Sequence, residues 1–148
     1  MTSEFIPAVH RVIVGFDGSD NSGHALRWGL AEARRWEVPL IIVRTWEFTP
    51  LLVATGAPTD LDELAARVDA HARGEVAELL GVEPDDVDVR LEVVEGPPAK
   101  VLTEAGGPGD LLVLGSRGLG GFKELMLGSV SRQVSLHARC PVVIIREP

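Results

Sequence analysis

Three glycines and a serine in the last third of the chain have the spacing of a phosphate-binding turn: Gly115, Gly118, Gly128 and Ser129. They follow an unbroken apolar run and lead into a segment with helical periodicity. Glycine lets the backbone turn sharply and approach a bulky anion, and the N–H groups at a helix N-terminus favour phosphate. The segment therefore predicts a phosphate cradle, although glycines at such positions also build simple tight turns. No G-x-x-x-x-G-K-[ST] sequence occurs, so the cradle is not a P-loop.

Side chains around this turn add further candidates. We expect Ser129 to cap the following helix, and the N–H groups of Gly128–Val130 to face the anion. The hydroxyls of Ser129 and Ser131 add donors. Arg117 and Lys123 lie on the same segment, and such cations either reach a phosphate or remain solvated.

A second polar cluster follows the first predicted strand. Asp17, Gly18 and Ser19 stand directly after the β-branched run Val12–Val14. Asp-Gly-Ser favours a turn by itself, and the Asp17 carboxylate is also a candidate ligand-binding group.

The elements that must position these residues alternate along the chain. β-Branched or alternating runs predict five strands, at Val12–Val14, Pro39–Trp46, Val87–Val93, Asp110–Leu114 and Pro141–Ile145. Helical spacing predicts helices at Ser22–Trp36, from Thr59 to a stop at Gly81, at Pro97–Ala105 and at Ser129–His137. Such alternation gives a parallel sheet with helices on both faces, and ligands bind beyond the carboxyl ends of its strands.

Two segments of this pattern have less regular positions. The strand Val87–Val93 alternates apolar and charged residues, so we expect it at a sheet edge. The Pro- and Gly-containing stretch Glu47–Pro58 is predicted to be a loop or a flap.

Bulk composition restricts the class of protein. The chain has 148 residues, 45% of them hydrophobic and 24% charged, as expected for one globular domain spanning residues 1–148. Its net charge of -8 repels nucleic acid and anionic lipid, so we expect neither as a partner. ATP would be repelled too, so a nucleotide site here needs local backbone donors.

The histidines, the one cysteine and the N-terminal segment give no indication of metal binding, disulfide formation or export. The four histidines lack ligand spacing such as H-E-x-x-H, and Cys140 has no partner for an internal disulfide. No signal peptide or membrane-spanning run is evident, so we expect a cytoplasmic protein that crosses no membrane.

The motif Gly115-x2-Gly118-x9-Gly128-Ser129 resembles the nucleotide-binding signature of the ATP-binding branch of the universal stress protein family. The opening run Val12–Ser19, the strand end Val43–Trp46 and the closing run Cys140–Val143 are similar to that family as well. The resemblance covers roughly residues 10–146, which we expect to be the ordered core.

This resemblance implies a fold and a ligand. The fold is a doubly wound, Rossmann-like α/β sheet of order 3-2-1-4-5, and the ligand is ATP with Mg²⁺ carried by the nucleotide. Asp17 matches a family position near the ribose or a metal-bound water, and the Thr45 backbone one near adenine. The implied nucleotide-binding residues are Asp17, Gly18, Ser19, Thr45, Gly115, Ser116, Arg117, Gly118, Gly128, Ser129, Val130 and Ser131.

The last predicted strand also implies a partner. Pro141–Ile145 is apolar on both faces, carries no charge and would lie at a sheet edge, where an unguarded strand invites pairing. Members of the family dimerise there, so we expect a homodimer through this strand.

Several functions are compatible with these residues. We expect a nucleotide-dependent regulator or switch in the stress response, because no nucleophile with an adjacent base accompanies the cradle. The alternatives are slow ATP hydrolysis or self-phosphorylation on Ser129 or Ser131, a flavin protein or small transferase on the same fold, and an interaction module with a structural nucleotide.

Overall fold

Five parallel strands form one sheet in the part of the chain that the computed structural model describes, residues 8–81, 84–119 and 127–148. The strands are β1 (Arg11–Gly15), β2 (Leu40–Trp46), β3 (Val89–Glu95), β4 (Asp110–Gly115) and β5 (Val142–Ile145). The helices between them are α1 (Asp20–Trp36), α2 (Pro50–Ala54), α3 (Leu61–Leu80), α4 (Pro98–Ala105) and α5 (Ser129–His137).

Helices cover both faces of this sheet. Alternate β1 side chains point to opposite faces, so Val12 and Val14 pack on the α1 and α3 side. Ile13 packs on the other side, against Leu102 of α4 and Val134 of α5. Both faces of β1 are therefore buried, as its unbroken apolar run requires.

The strand order reverses beside β1. The sheet runs β3-β2-β1-β4-β5, so the chain winds outward from β1 in both directions and the doubly wound order 3-2-1-4-5 is confirmed. Val12 pairs with Leu40 of β2 on one side and with Leu111 of β4 on the other. The loops after β1 and β4 consequently lie side by side, where α/β sheets bind ligands.

Several predicted boundaries differ from the structure. The first helix begins at Asp20 with Ser19 as its N-cap, not with Ser22, whose N–H donates to the Ser19 side chain. The third strand is confirmed at an edge but runs two residues later than predicted, because its pairing follows β2 from Leu40 to Trp46. The segment Glu47–Pro58 is not simply a loop, since it contains the short helix α2.

An ion pair joins the amino-terminal ends of β1 and β4. Arg11 donates to Asp110 from Nε at 2.9 Å and from Nη2 at 2.7 Å. Asp110 also accepts the Gly107 N–H at 2.9 Å, and its side chain is only 6% exposed. The Arg11 hydrogen bonds hold the pKa of the Asp110 carboxyl below its usual value, outweighing the opposite effect of burial.

This ion pair should make the free energy of unfolding depend on pH in the acidic range. The pKa of Asp110 is lower in the folded protein than in the unfolded chain. The ionised carboxylate therefore stabilises the fold above the unfolded pKa of about 3.9, and this stabilisation is lost as pH falls through the folded pKa. We expect Asp110→Asn to lower the free energy of unfolding by about 1–2 kcal/mol at pH 7, and by less at pH 3. Urea unfolding at both pH values measures this, with Asp69→Asn, from the exposed pair with Arg73, as the control. Equal losses at both pH values would contradict the assignment.

Candidate functional site

A cavity of about 500 Å³ opens at the carboxyl ends of β1, β2 and β4, where the strand order reverses. This volume lies within the range of small-molecule sites. The described residues on its wall come from the end of β1 and the loop after it, the first turn of α1, the end of β2, helix α4, the end of β4 and the loop after it, and the first turn of α5 with its N-cap. They are Gly15, Phe16, Asp17, Ser22, Val43, Thr45, Pro98, Leu102, Leu114, Gly115, Arg117, Gly118, Leu119, Gly128, Ser129, Val130 and Ser131.

One end of the cavity is apolar. Val43 and Leu102 belong to the core cluster between the sheet and the pair α4 and α5, and Leu114 and Val130 pack in the same cluster. Thr45 reaches this wall because it lies two residues beyond Val43 on the same strand and so on the same face of the sheet. This end can hold a flat apolar group.

Asp17 fastens the two neighbouring loops of the site to each other. Its Oδ1 accepts the Ser19 N–H at 2.9 Å and the Ser19 hydroxyl at 2.5 Å. Its Oδ2 accepts the N–H of Leu119, from the loop after β4, at 3.2 Å. Burial raises the pKa of the Asp17 carboxyl, but the hydrogen bonds with Ser19, Ser22 and Leu119 lower it by more. The pKa is therefore below its usual value. The side chain is therefore a carboxylate at neutral pH.

Gly118 is required for a reason that the sequence did not indicate. The expectation that the missing Cβ leaves space for an anion stays a prediction. In addition, a Cβ built on Gly118 points at Asp17 and lies 2.5 Å from its Oδ2. A side chain in that space would force the Asp17 carboxylate to shift and would disturb its hydrogen bond with the neighbouring Leu119 N–H. Gly118 thus permits the contact that joins the loops.

The turn into α5 corrects the expected N-cap of that helix. Gly128, rather than Ser129, is the N-cap residue, and its N–H donates to the Ser116 carbonyl oxygen at 2.6 Å. The Ser131 hydroxyl donates to the carbonyl oxygens of Ser116 and Gly128, at 3.0 and 3.1 Å. Neither group is therefore directed to a ligand. Ser129 and Val130 lie in the first turn of α5, where N–H groups have no acceptor within the helix.

Asn21 is a site residue that sequence reasoning missed. It lies in the first turn of α1, is 3% exposed, and donates from Nδ2 to Ser116 Oγ at 3.0 Å and to the Arg117 carbonyl oxygen at 3.2 Å. It is a second link between the loops after β1 and β4. In the sequence, Asn21 is one polar residue among several near a helix start. Its role becomes visible only when the fold places it beside the loop after β4.

Three of the twelve predicted site residues do not reach the cavity wall. Ser116 is buried behind it as the partner of Asn21, and Ser19 caps α1 and holds Asp17. Gly18 has a positive φ of 85°, and a Cβ there would lie 2.6 Å from Glu75 Oε1 on the α3 side of the sheet. The other nine line the cavity, and their contacts with a nucleotide stay a prediction. Lys123 lies outside the described residues.

The described part of the chain shows no cluster of three or more His, Cys, Asp or Glu side chains that could hold a metal ion by themselves. Within the same residues, no helix combines the length and the apolarity that crossing a bilayer requires.

Comparison with known proteins assigns the family. The model of the universal stress protein family matches residues 8–146, which include both loops of the cavity and the whole sheet. The chain belongs to the universal stress protein family. A universal stress protein of Thermus aquaticus, encoded in the QAH/OAS sulfhydrylase 3' region, is 33% identical over 139 residues, covering 91% of this chain and 97% of that relative. The chain spans only about half the length of several other relatives, such as a universal stress protein of Mycobacterium tuberculosis that is 30% identical and is covered to 49% of its length.

Solved structures of universal stress proteins share the fold. UspA of Lactobacillus plantarum superposes with a TM-score of 0.75 at 24% identity, covering 93% of this chain and 97% of that one. A universal stress protein in complex with cAMP superposes with a TM-score of 0.69 at 26% identity, with the same coverage.

Proposed function

We propose that this universal stress protein binds ATP, with Mg²⁺ carried by the nucleotide, and acts as a nucleotide-dependent regulator in the stress response. One observation carries the proposal: a single cavity joins an apolar compartment to the N-terminal turn of a helix. An adenine nucleotide has the matching division into a flat base and a charged phosphate chain. The related universal stress protein in complex with cAMP supports this ligand class.

In this proposal the base occupies the apolar end, between Val43, Leu102 and Val130. Aliphatic side chains bury the faces of a purine, and a few polar groups at its edge fix the orientation. Thr45 is the polar residue at the end of β2 on this wall, so its backbone is the expected neighbour of the base edge.

The phosphates are proposed to lie at the first turn of α5. The N–H groups of Ser129 and Val130 supply donors there, the helix dipole adds partial positive charge, and the Arg117 side chain is on the adjoining wall. These local groups have to offset the net charge of -8, which repels a polyanion as it approaches.

Asp17 is the acidic residue on the described wall, so an ionised carboxylate would face the phosphates. A divalent cation between them removes this repulsion, and Mg²⁺ is typically bound by one or two carboxylates together with phosphate oxygens. We therefore propose Asp17 as the group that faces the nucleotide-bound Mg²⁺, directly or through water.

The wall supports binding better than turnover. The described wall residues include no histidine, lysine or cysteine, and both oxygens of Asp17 already accept hydrogen bonds from the protein. The Ser131 hydroxyl is engaged with two carbonyl oxygens, which disfavours it as a phosphate acceptor, whereas Ser129 is exposed. We therefore propose a regulatory role, in which a partner recognises the nucleotide-bound form, in preference to fast turnover.

Calorimetric titration of wild type, Gly118→Ala and Gly74→Ala with Mg²⁺-ATP and with adenosine tests the nucleotide site. The Gly118→Ala side chain displaces Asp17 and the Leu119 loop, so we expect ATP affinity to fall by about tenfold, roughly 1.4 kcal/mol. Gly74 lies on α3 with nothing within 4 Å of an added Cβ, so its variant should bind like wild type. Adenosine should bind wild type more weakly than ATP. A wild-type protein that binds no ATP, or a Gly118→Ala variant that binds it undiminished, would contradict the site.

We also propose a homodimer through β5. The strand lies at the sheet edge, and its four apolar residues are only half-buried. The carbonyl oxygen of Pro141 accepts the N–H of Leu112 in β4, and that of Ile145 accepts the N–H of Ser116, the residue that follows β4. Because backbone groups alternate along a strand, Val142 and Ile144 direct their N–H groups away from β4. This unguarded edge supports pairing with a second copy about a two-fold axis.

Substitution of Ile144 tests the dimer. Ile144→Pro removes the outward N–H but no hydrogen bond to β4, whereas Ile144→Ala loses the side chain and keeps the N–H. We expect light scattering to give twice the chain mass of 15.9 kDa for wild type and for Ile144→Ala, and a shift to the monomer for Ile144→Pro. Circular dichroism controls for folding. A wild-type monomer, or a folded Ile144→Pro dimer, would refute this interface.

A further inference from the structure

Arg117, on the wall of the cavity, forms an ion pair with a residue close to the end of the chain. Its Nη2 lies 2.9 Å from Oε2 of Glu147. The Arg117 side chain is 25% exposed and that of Glu147 is 51% exposed, so the pair sits at the rim, in contact with solvent.

The sheet itself brings these two residues together. In the parallel pairing of β4 with β5, Gly115 is opposite Ile145, and the Ser116 N–H continues the ladder by donating to the Ile145 carbonyl oxygen at 2.8 Å. Arg117 and Glu147 each stand two residues beyond that register pair. Strand register therefore brings the two residues to neighbouring positions at the same edge of the sheet.

A carboxylate and a phosphate compete for the same donors on a guanidinium group. The planar carboxylate and the tetrahedral phosphate both accept paired hydrogen bonds from arginine, and the phosphate carries more negative charge than the carboxylate. An ion pair exposed to solvent contributes little to stability, so a polyphosphate can displace the carboxylate.

We propose that Glu147 is a built-in competitor for the phosphates of the nucleotide and sets how strongly the site prefers a polyphosphate over a nucleoside. The proposal rests on the proposed function and adds a specificity-determining residue to it. Arg117 contacts Glu147, and when ATP binds, Arg117 turns to the phosphates and Glu147 is released. A nucleoside does not reach Arg117, so its affinity is independent of Glu147.

The test is a set of titrations with Mg²⁺-ATP and with adenosine. We expect Glu147→Gln to bind ATP about two- to fivefold more tightly than wild type, the factor that corresponds to one surface ion pair, and adenosine with unchanged affinity. The matched control is Asp86→Asn, which removes the same charge from an exposed pair with Arg34 and lies next to the amino-terminal end of β3, away from the cavity. This control should bind ATP like wild type.

A second pair of variants separates competition from simple charge repulsion. In an Arg117→Gln background, Glu147→Gln should no longer change ATP affinity, because the competitor acts only through Arg117. If Glu147→Gln tightens ATP equally in that background, or no more than Asp86→Asn does, the inference is overturned and the nucleotide site stands. If neither wild type nor Glu147→Gln binds ATP, the inference and the proposed function are both overturned.

Discussion

The cavity depends on two polar links across the point where the strand order reverses. Asp17 accepts the Leu119 N–H, and Asn21 donates to Ser116 and to the Arg117 carbonyl oxygen. Both links join the loop and helix after β1 to the loop after β4. Parallel strands by themselves only bring these loops near one another, and side-chain hydrogen bonds in partly buried surroundings hold them in one arrangement. The remaining features of the site, including the turn into α5, are built on that arrangement.

Under the proposed function, the same links bear on how an acidic protein would bind an anion. The chain carries a net charge of -8, and the Asp17 carboxylate is itself on the wall. Its negative charge is partly neutralised by donors from Ser19 and Leu119, and the first turn of α5 supplies unbonded N–H groups nearby. The proposed affinity for an anion would therefore come from local backbone donors, which act against the repulsion that the charge of the whole protein produces.

Much of the fold could be predicted from the sequence, because β-branched runs such as Leu40–Val43 and helical spacing are local signals. The glycine motif and the alternation of elements also made the site loops predictable. The sheet order 3-2-1-4-5 was implied instead by the resemblance to the universal stress protein family, and the structure confirms it. The roles of single residues were not predictable. These roles depend on the register of neighbouring strands and on the direction of a Cβ. Examples are the space that Gly118 leaves for Asp17, the bonded N–H of Gly128, and the ion pair of Arg117 with Glu147. The sequence alone gives neither the register nor the direction of the Cβ.

Amide chemical shifts of the ¹⁵N-labelled protein during a titration with Mg²⁺-ATP test the central claim most directly, because they report on individual N–H groups. The account predicts that the amides of Ser129, Val130 and Leu119 shift most. The Gly128 amide, which is bonded to the Ser116 carbonyl oxygen, should shift less. Shifts confined to residues away from the cavity, or none at millimolar ATP, would contradict a nucleotide site at the start of α5.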